Sequence, residues 1–484
     1  MTYSFKLSTK EGIRHVAKAL TFRNPDPFAY SSRIEKFDKK KLTFKIGMLP
    51  TLERYLTKKG VEYEVEDYAY SFPDGVTVDD RMTGKYIHQK RAVEAFFRKR
   101  FGIIVVPTRG GKTFIASEIC RIFLNTDSGN FLFLTDNTTL FNQAVGDLQE
   151  FFQRYGGVEV GEIKAGKIDT GKRVTVGMIQ TVQSTLSKRC KDKKKKAELT
   201  KYLRELKFLC VDEIHDNCSD SKLAIYKKCK RLEYQLCLSA TPYRTGALVQ
   251  NLKLKEWSGD VMYTITEAKL RKRKVLSDYR VFMLLVNHNN IEYDTKVDDY
   301  DQYRKDLIFH SAYRNGVLRK VIKILRRLNL KTLLLFQSKE HGYTMERLTG
   351  IPFICGDNSG EEREEAKEAF LEGKGGMLSA SGIFKKGVTL PAVEVMINCD
   401  GGLEDANTIQ KKGRVLGATK DKQRSLIIDF FDEFDAYFSD HSGARLQTYI
   451  DAIGEKRVGI LDTEIDDCYE TLERWIKKWF KIDE

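Results

Sequence analysis

The chain has 484 residues, 41% hydrophobic and 31% charged, with a net charge of +15; that length allows roughly three domains, each able to bury a core. No uncharged apolar run approaches the roughly 20 residues that span a bilayer, the opening MTYSFKLSTKEG has no signal-peptide core, and nine cysteines without a C-x-x-C pair supply neither a disulfide framework nor a zinc site of familiar spacing. These features argue against a membrane protein and a disulfide scaffold, and we expect a soluble cytoplasmic protein with reduced, mostly buried thiols. Residues 426–484 hold 15 acidic and 7 basic side chains, which leaves about +23 on the first 425, a charge that attracts a polyanion.

The first 78 residues read as a small α+β module. KLTFKIG (41–47) has strand composition, TLERYLTKKG (51–60) is a short helix closed by Gly60, and VEYEVEDYAYSF (61–72) alternates like a half-exposed strand. SFPDGVTVDD then forms a turn-rich link. Beyond it, IIVV (103–106), FLFL (131–134), FLCV (208–211) and LCLS (236–239) are apolar runs separated by helical patterns; LLLF (333–336), GMLSA (376–380), VMIN (395–398) and LIID (426–429) repeat the rhythm. Such runs alternating with helices specify parallel sheets covered on both faces. We expect an α/β chain with two tandem parallel-sheet domains, 79–272 and 273–432, joined near Leu270 to Asp278, and a helical acidic extension over 433–484. In that extension LERWIKKWFKI (472–482) sets Leu472, Trp475, Ile476, Trp479 and Phe480 on one helical face, as a docking helix would.

VPTRGGKT (106–113) follows the strand GIIVV and precedes the helical pattern FIASEICRIFL, the setting of a phosphate-binding loop. Loop and helix amides from Thr108, Gly110 and Gly111 would surround phosphate oxygens, Lys112 would reach the β and γ groups, and Thr113 would hold Mg²⁺. Val106 stands where the general pattern opens with glycine, so a chance glycine turn stays open on this motif alone. KFLCVDEIHD adds Asp212 and Glu213 at the end of an apolar strand, where one carboxylate can bind the Mg²⁺ shell and the other polarise an attacking water. Ser239, Ala240 and Thr241 again end a strand, within LSATPYR.

PTRGGKT, DEIH, SATPYR and QKKGR occur in the order and approximate spacing of superfamily 2 helicases, whose loops commonly begin with a residue other than glycine. The resemblance spans about residues 80–430 and implies two RecA-like P-loop domains, ATP hydrolysis with Mg²⁺, and coupling through His215, Ser239 and Thr241. Within the superfamily the chain looks most like the phage UvsW-type recombination helicases, which remodel branched DNA. YIHQKRAV (86–93) puts Gln89 where a glutamine reads the adenine. FLTDNTTLFNQA (133–144) offers Thr138, Thr139 and Gln143, and VTVGMIQTV (174–182) offers Gln180 and Thr181, as strand contacts. In the second domain LLLFQSKEHG, SASGIFKKGVTLP and QKKGRVLG match three further motifs, which implicates Lys339 and Ser381 in DNA binding, Gly387 in the nucleotide site, and Gln410 and Arg414 at the γ-phosphate.

Gly417 replaces the second arginine of the family pattern Q-x-x-G-R-x-x-R, which leaves Arg414, or a cation such as Lys420 or Lys422, to stabilise the phosphate. DNA is favoured over RNA by His215 and Gln410. The resemblance implies a monomer acting on branched DNA or single-strand/double-strand junctions in recombination, replication and repair, in the host cytoplasm if phage-encoded, with residues 1–78 as its nucleic-acid-binding accessory module. Two other classes stay open: an ATP-gated DNA clamp or annealing protein with weak hydrolysis, suggested by Gly417, and a translocase subunit of a nuclease, suggested by Pro25-Asp26 with Asp38-x-Lys40. The basic runs RCKDKKKK (189–196) and KLRKRK (269–274) read as solvated faces or phosphate contacts.

Overall fold

The computed structural model describes residues 2–4, 10–23, 33–38, 43–63, 70–136, 138–216, 219–243, 247–288, 300–373, 376–381, 393–399, 401, 422–434 and 436–482. The chain divides into two compact units, Met1–Thr266 and Glu267–Glu484.

The first unit opens with β1 (Thr2–Ser4), α1 (Lys10–Ala19), β2 (Thr21–Arg23), β3 (Arg33–Glu35), β4 (Phe37–Asp38), β5 (Thr43–Lys45) and α2 (Leu49–Lys58). These strands form two small antiparallel sheets, β1-β5-β4 and β2-β3. The amphipathic spacing of α1 and α2 turns Val16, Leu52 and Leu56 onto Phe44, and Leu252 from far along the chain completes that cluster. Two contacts fix the module there: Lys36 pairs with Glu256 at 2.8 Å, and a Cβ on Gly47 would lie 1.8 Å from the Lys255 carbonyl oxygen. Of the expected strand over 61–72, residues 61–63 and 70–72 are irregular and 64–69 lie outside the described residues.

The main sheet of this unit contains β6 (Phe101–Val105), β7 (Phe131–Thr135), β8 (Val160–Lys164), β9 (Lys167–Ile168), β10 (Val174–Met178), β11 (Phe208–Val211), β12 (Tyr234–Ser239) and β13 (Val261–Thr264). Their order is β13-β6-β12-β11-β7-β10-β8-β9, parallel throughout except for the β8–β9 hairpin. Its helices are α3 (Ile87–Lys99), α4 (Lys112–Thr126), α5 (Thr138–Gln153), α6 (Ile179–Leu186), α7 (Lys193–Glu205), α8 (Asp220–Tyr226) and α9 (Leu248–Ser258). The central strands are fully buried, which is why they read as unbroken apolar runs. The parallel register brings the ends of β6, β12, β11, β7 and β10 to one edge, where ligands of such sheets bind.

The second unit holds a seven-stranded sheet of β14 (Asp278–Asn287), β15 (Thr332–Leu335), β16 (Phe353–Ile354), β17 (Met377–Ala380), β18 (Val395–Asn398), β19 (Arg424–Glu433) and β20 (Val458–Asp462), ordered β16-β17-β15-β18-β19-β14-β20. Both large sheets and the carboxyl-terminal helix agree with the tandem RecA-like expectation. The tail over 433–484 also contributes β20 to the sheet edge. Its last helix, Cys468–Phe480, buries Leu472 and Ile476, packs Trp475, Trp479 and Phe480 on the core, and donates the Trp479 indole to the Ser425 carbonyl at 2.8 Å.

Charged side chains cross this second core. Arg314, fully buried, holds both Asp432 oxygens at 2.6 and 3.1 Å and the Cys399 carbonyl at 3.0 Å. Arg445 and Tyr449, on the helix Ala436–Ile453, reach Asp429 at 3.3 and 2.8 Å. The eight described cysteines are free thiols. Among the described residues no helix is long and apolar enough to cross a membrane.

Candidate active site

The loop leaving β6 turns through Gly110, whose amide donates to the Pro107 carbonyl at 2.9 Å, and α4 begins at Lys112. Arg109 and Gly111 take left-handed backbone angles, φ 65° and 89°, so the loop curls back and α4 presents its first free amides to any anion there. Val106 is fully buried and still bonds Ser239 across the sheet at 3.1 Å. The position that opens the general pattern with glycine is here a strand end, which is why a bulky residue fits. Gln89 and His88 from α3 lie against the loop, 3.5 and 2.8 Å from the Gly110 carbonyl oxygen.

A Cβ on Gly111 would stand 2.1 Å from Gln89 Nε2. Gly111→Ala therefore meets both an unfavourable φ and a clash, and is expected to weaken nucleotide binding by about tenfold or more, since roughly 1.4 kcal/mol is one decade. Titration with a fluorescent ADP analogue reads it directly.

Asp212 and Glu213 follow β11, next to the loop. Lys112 Nζ meets Glu213 Oε1 at 2.5 Å, and Glu213 takes a left-handed φ of 44°. A non-glycine residue there costs about 1–3 kcal/mol of backbone strain. Burial pushes the Asp212 carboxyl up to about 6; the Lys112 charge opposes that shift and the Glu213 carboxylate adds to it. His215 Nδ1 lies 3.4 Å from Glu213 Oε2 and 3.0 Å from Ser239 Oγ, which accepts the Thr241 amide at 3.1 Å. Lys112, Glu213, His215, Ser239 and Thr241 thus form one polar line.

The donor set suits Mg²⁺, which takes one or two carboxylates and shares the rest of its shell with phosphate and water. Asp212 and Thr113 would hold it. The chemistry such an ion would supply is positive charge to offset that developing on the phosphate.

Four of the first unit's strand-contact candidates lie at neighbouring strand ends. Thr135 of β7 pairs with Met178 of β10, so Thr138 and Thr139 at the start of α5 neighbour Gln180 and Thr181 at the start of α6. Thr138 and Gln180 are exposed, and Gln180 Nε2 donates to the Asp136 carbonyl at 2.5 Å. Gln143, expected among these contacts, is half-buried and donates to Asp147 at 3.3 Å. In the second unit Lys339 begins a helix and pairs with Asp357 at 2.5 Å, while Ser381 is buried at the end of β17. Gly387, Gln410, Arg414 and Gly417 lie outside the described residues.

Sequence reasoning missed several buried polar groups. Asp79 takes a bidentate hold from Arg81 and the Tyr155 hydroxyl at 2.7 Å, and its amide donates to the fully buried Glu118 of α4. This clamps the segment leading into α3 onto the phosphate-loop helix. The signal for the second-unit network was available: LIIDFFDE sets Asp429 and Asp432 inside an apolar strand, and a buried carboxylate needs a partner.

The fold and this site define a P-loop ATP hydrolase built from two parallel-sheet domains. Residues 85–244 match the family described as type III restriction enzyme, res subunit, and residues 316–418 match the helicase conserved C-terminal domain. The chain is 24% identical over 413 residues to the DNA 3'-5' translocase XPB2 of Sulfurisphaera tokodaii, spanning 78% of this chain and 87% of that protein. It is 22% identical over 360 residues to the ATP-dependent DNA helicase uvsW of Enterobacteria phage T4, spanning 71% and 68%. Among solved structures, S. cerevisiae Dbp5 bound to RNA and ADP BeF3 shares the fold with a TM-score of 0.55 at 17% identity, over 81% of this chain and 92% of that one. The two family models together cover more than half of the chain, and the protein belongs to the superfamily 2 helicases.

Proposed function

We propose that this protein is a DNA helicase or translocase that uses ATP hydrolysis to remodel branched DNA, by branch migration, fork regression or unwinding of D-loops and R-loops. The observation that carries the motor is the polar line from Lys112 through Glu213 and His215 to Ser239 and Thr241. With ATP bound, the phosphates draw Lys112 Nζ away from Glu213. Glu213, steadied by His215, then polarises the attacking water, and the change in its charge reaches the Ser239–Thr241 segment through the imidazole. Thr113 and Asp212 hold Mg²⁺, and Gln89 reads the adenine. Arg414 and Gln410 are assigned to the γ-phosphate by resemblance, as Gly387 is to the nucleotide site.

DNA as the polyanion is supported by the names of the two relatives, by the positive charge of the first 425 residues, and by Thr138, Thr139, Gln180 and Thr181 sharing one sheet edge. Lys339 and Ser381 join them as proposed contacts. Branched substrate follows from the uvsW likeness and from the docked amino-terminal module. That module packs on α9, a few residues beyond Thr241, and presents Arg54 and Lys58 on an exposed helix face.

The full-length variant Arg54→Glu with Lys58→Glu tests this reading. It is expected to keep single-strand-stimulated hydrolysis while losing most of its four-way-junction unwinding. Equal loss of both, or of neither, would remove the module from substrate choice.

A further inference from the structure

The basic run over 189–196 continues into α7, and the helix gives it a direction. Leu199, Tyr202 and Leu203 turn one side of α7 into the core. Lys193, Ala197, Lys201 and Arg204 lie exposed along the opposite side, over about 16 Å of helix axis. A hollow of about 510 Å³ follows this side, lined by Lys193, Lys196, Thr200, Lys201 and Arg204, with Glu205 at its end. The turn before the helix exposes Lys188, Arg189 and Lys191 as well.

A solvated helix face is ordinarily steadied by opposite charges three or four residues apart. Residues 188–204 instead hold nine basic and two acidic side chains, and both acids are engaged elsewhere. Asp192 caps the helix by accepting the Lys195 amide at 2.9 Å, and Glu198 accepts the Thr170 hydroxyl at 2.8 Å. Lys195 approaches Asp192 at 3.8 Å, but Lys193, Lys194, Lys196, Lys201 and Arg204 form no ion pair among the described residues. Four lysines also fill the first turn, at the helix end whose dipole disfavours cations. Like charge gathered this way costs stability in the free protein and is relieved by a polyanion.

The face continues from the proposed strand contacts. Lys195 Nζ donates to the Gly166 carbonyl at 2.7 Å, in the turn between β8 and β9. Because β8 runs parallel to β10, that turn lies at the sheet edge where α6 starts with Gln180 and Thr181. Helix α6 has eight residues, about 12 Å, and leads directly to the turn that carries Lys188. Proteins that grip single strands stack the bases on aromatic rings. The exposed side of α7 has none, since Tyr202 is buried. A row of cations on a straight helix suits the phosphate backbone of a duplex.

We propose that α7 and the turn before it form a contact for the backbone of duplex DNA beside the strand track, gripping a double-stranded arm without reading its sequence. The proposal rests on the DNA reading above and adds to it the site that holds that arm.

The test compares the native full-length chain with a variant carrying Lys193→Gln, Lys201→Gln and Arg204→Gln. Binding of a blunt duplex of roughly 20 base pairs, and of a single strand of equal length, is followed by fluorescence anisotropy without nucleotide from about 50 to 200 mM salt. Single-strand-stimulated ATP hydrolysis and the melting temperature report on the fold. The variant is expected to bind the duplex about tenfold or more weakly at low salt. Its slope of log affinity against log salt should shrink by about 2 to 3, near 0.9 for each lost phosphate contact. Single-strand affinity and stimulation should stay near native. Unchanged duplex affinity and slope would overturn the proposal. Equal loss for both DNA forms would also overturn it and make α7 part of the strand track. So would unchanged duplex binding with native chain, but not variant, retained on phosphatidylserine–phosphatidylcholine vesicles, which would assign the face to an anionic membrane. Should the helix variant not fold, Lys188→Gln with Arg189→Gln and Lys191→Gln, in the turn, takes its place and is judged the same way. A native chain that bound neither DNA form would defeat the DNA reading itself, whereas native duplex binding by the variant defeats the α7 proposal alone.

Discussion

Glu213→Gln is expected to bind ATP with near-native affinity and to hydrolyse it about 10³-fold more slowly, within the range for loss of a positioned base. The amide keeps the size of the side chain and still accepts the Lys112 ammonium, now 2.5 Å from Glu213 Oε1, so the loop stays in place. It cannot take up positive character from the attacking water. Single-turnover hydrolysis alongside a nucleotide titration separates the two effects. A loss of less than tenfold would reduce Glu213 to a counter-ion for Lys112.

Arg314→Ala is expected to destabilise the second unit by about 3–5 kcal/mol, the usual consequence of stripping one partner from a buried ion pair. The variant leaves Asp432 fully buried, with the His288 imidazole at 3.4 Å, and removes a guanidinium seated 4.2 Å from the Phe430 ring centroid. Burial alone would raise the Asp432 carboxyl; the charge and hydrogen bonds of Arg314 and His288 reverse that and hold it far below the usual carboxylate range. The folded value lies below the unfolded one, so this stabilisation is complete above about pH 4 and is lost as pH falls further. Urea denaturation at pH 7 and pH 3 should show the gap between native and variant narrowing in acid. A difference under about 1 kcal/mol at pH 7 would mean that water or a rearranged side chain replaces Arg314.

The strands at the middle of both sheets were legible because burial on two faces leaves an unbroken apolar run, as in FLFL and FLCV. Edge strands were not. VGEIK of β8, next to the edge, alternates buried and half-buried residues, and VGILD of β20 buries only one of its five, so neither carries that pattern. The candidate site was legible where motifs fix residue type at a strand end: the structure brings Lys112, Asp212, Glu213, His215 and Ser239 to one edge. Gln143 was expected on the DNA by its motif; in the structure it is half-buried and donates to Asp147 one turn along its own helix. Partners distant in sequence, such as Arg314 with Asp432 or Lys36 with Glu256, leave no local pattern, since only the sheet topology brings them together.

Gly417, in place of a second arginine, makes catalytic strength the point on which the motor and clamp readings divide. The most direct measurement is ATP hydrolysis by the native chain and by Lys112→Ala, without DNA, with single-stranded DNA and with a four-way junction. A motor gives DNA-stimulated turnover that falls about 10²- to 10³-fold in the variant, as loss of a charge stabilising the transition state requires, with the junction the stronger activator. Turnover no greater than that of Lys112→Ala, together with tight binding of ATP and DNA, would contradict it and leave an ATP-gated clamp.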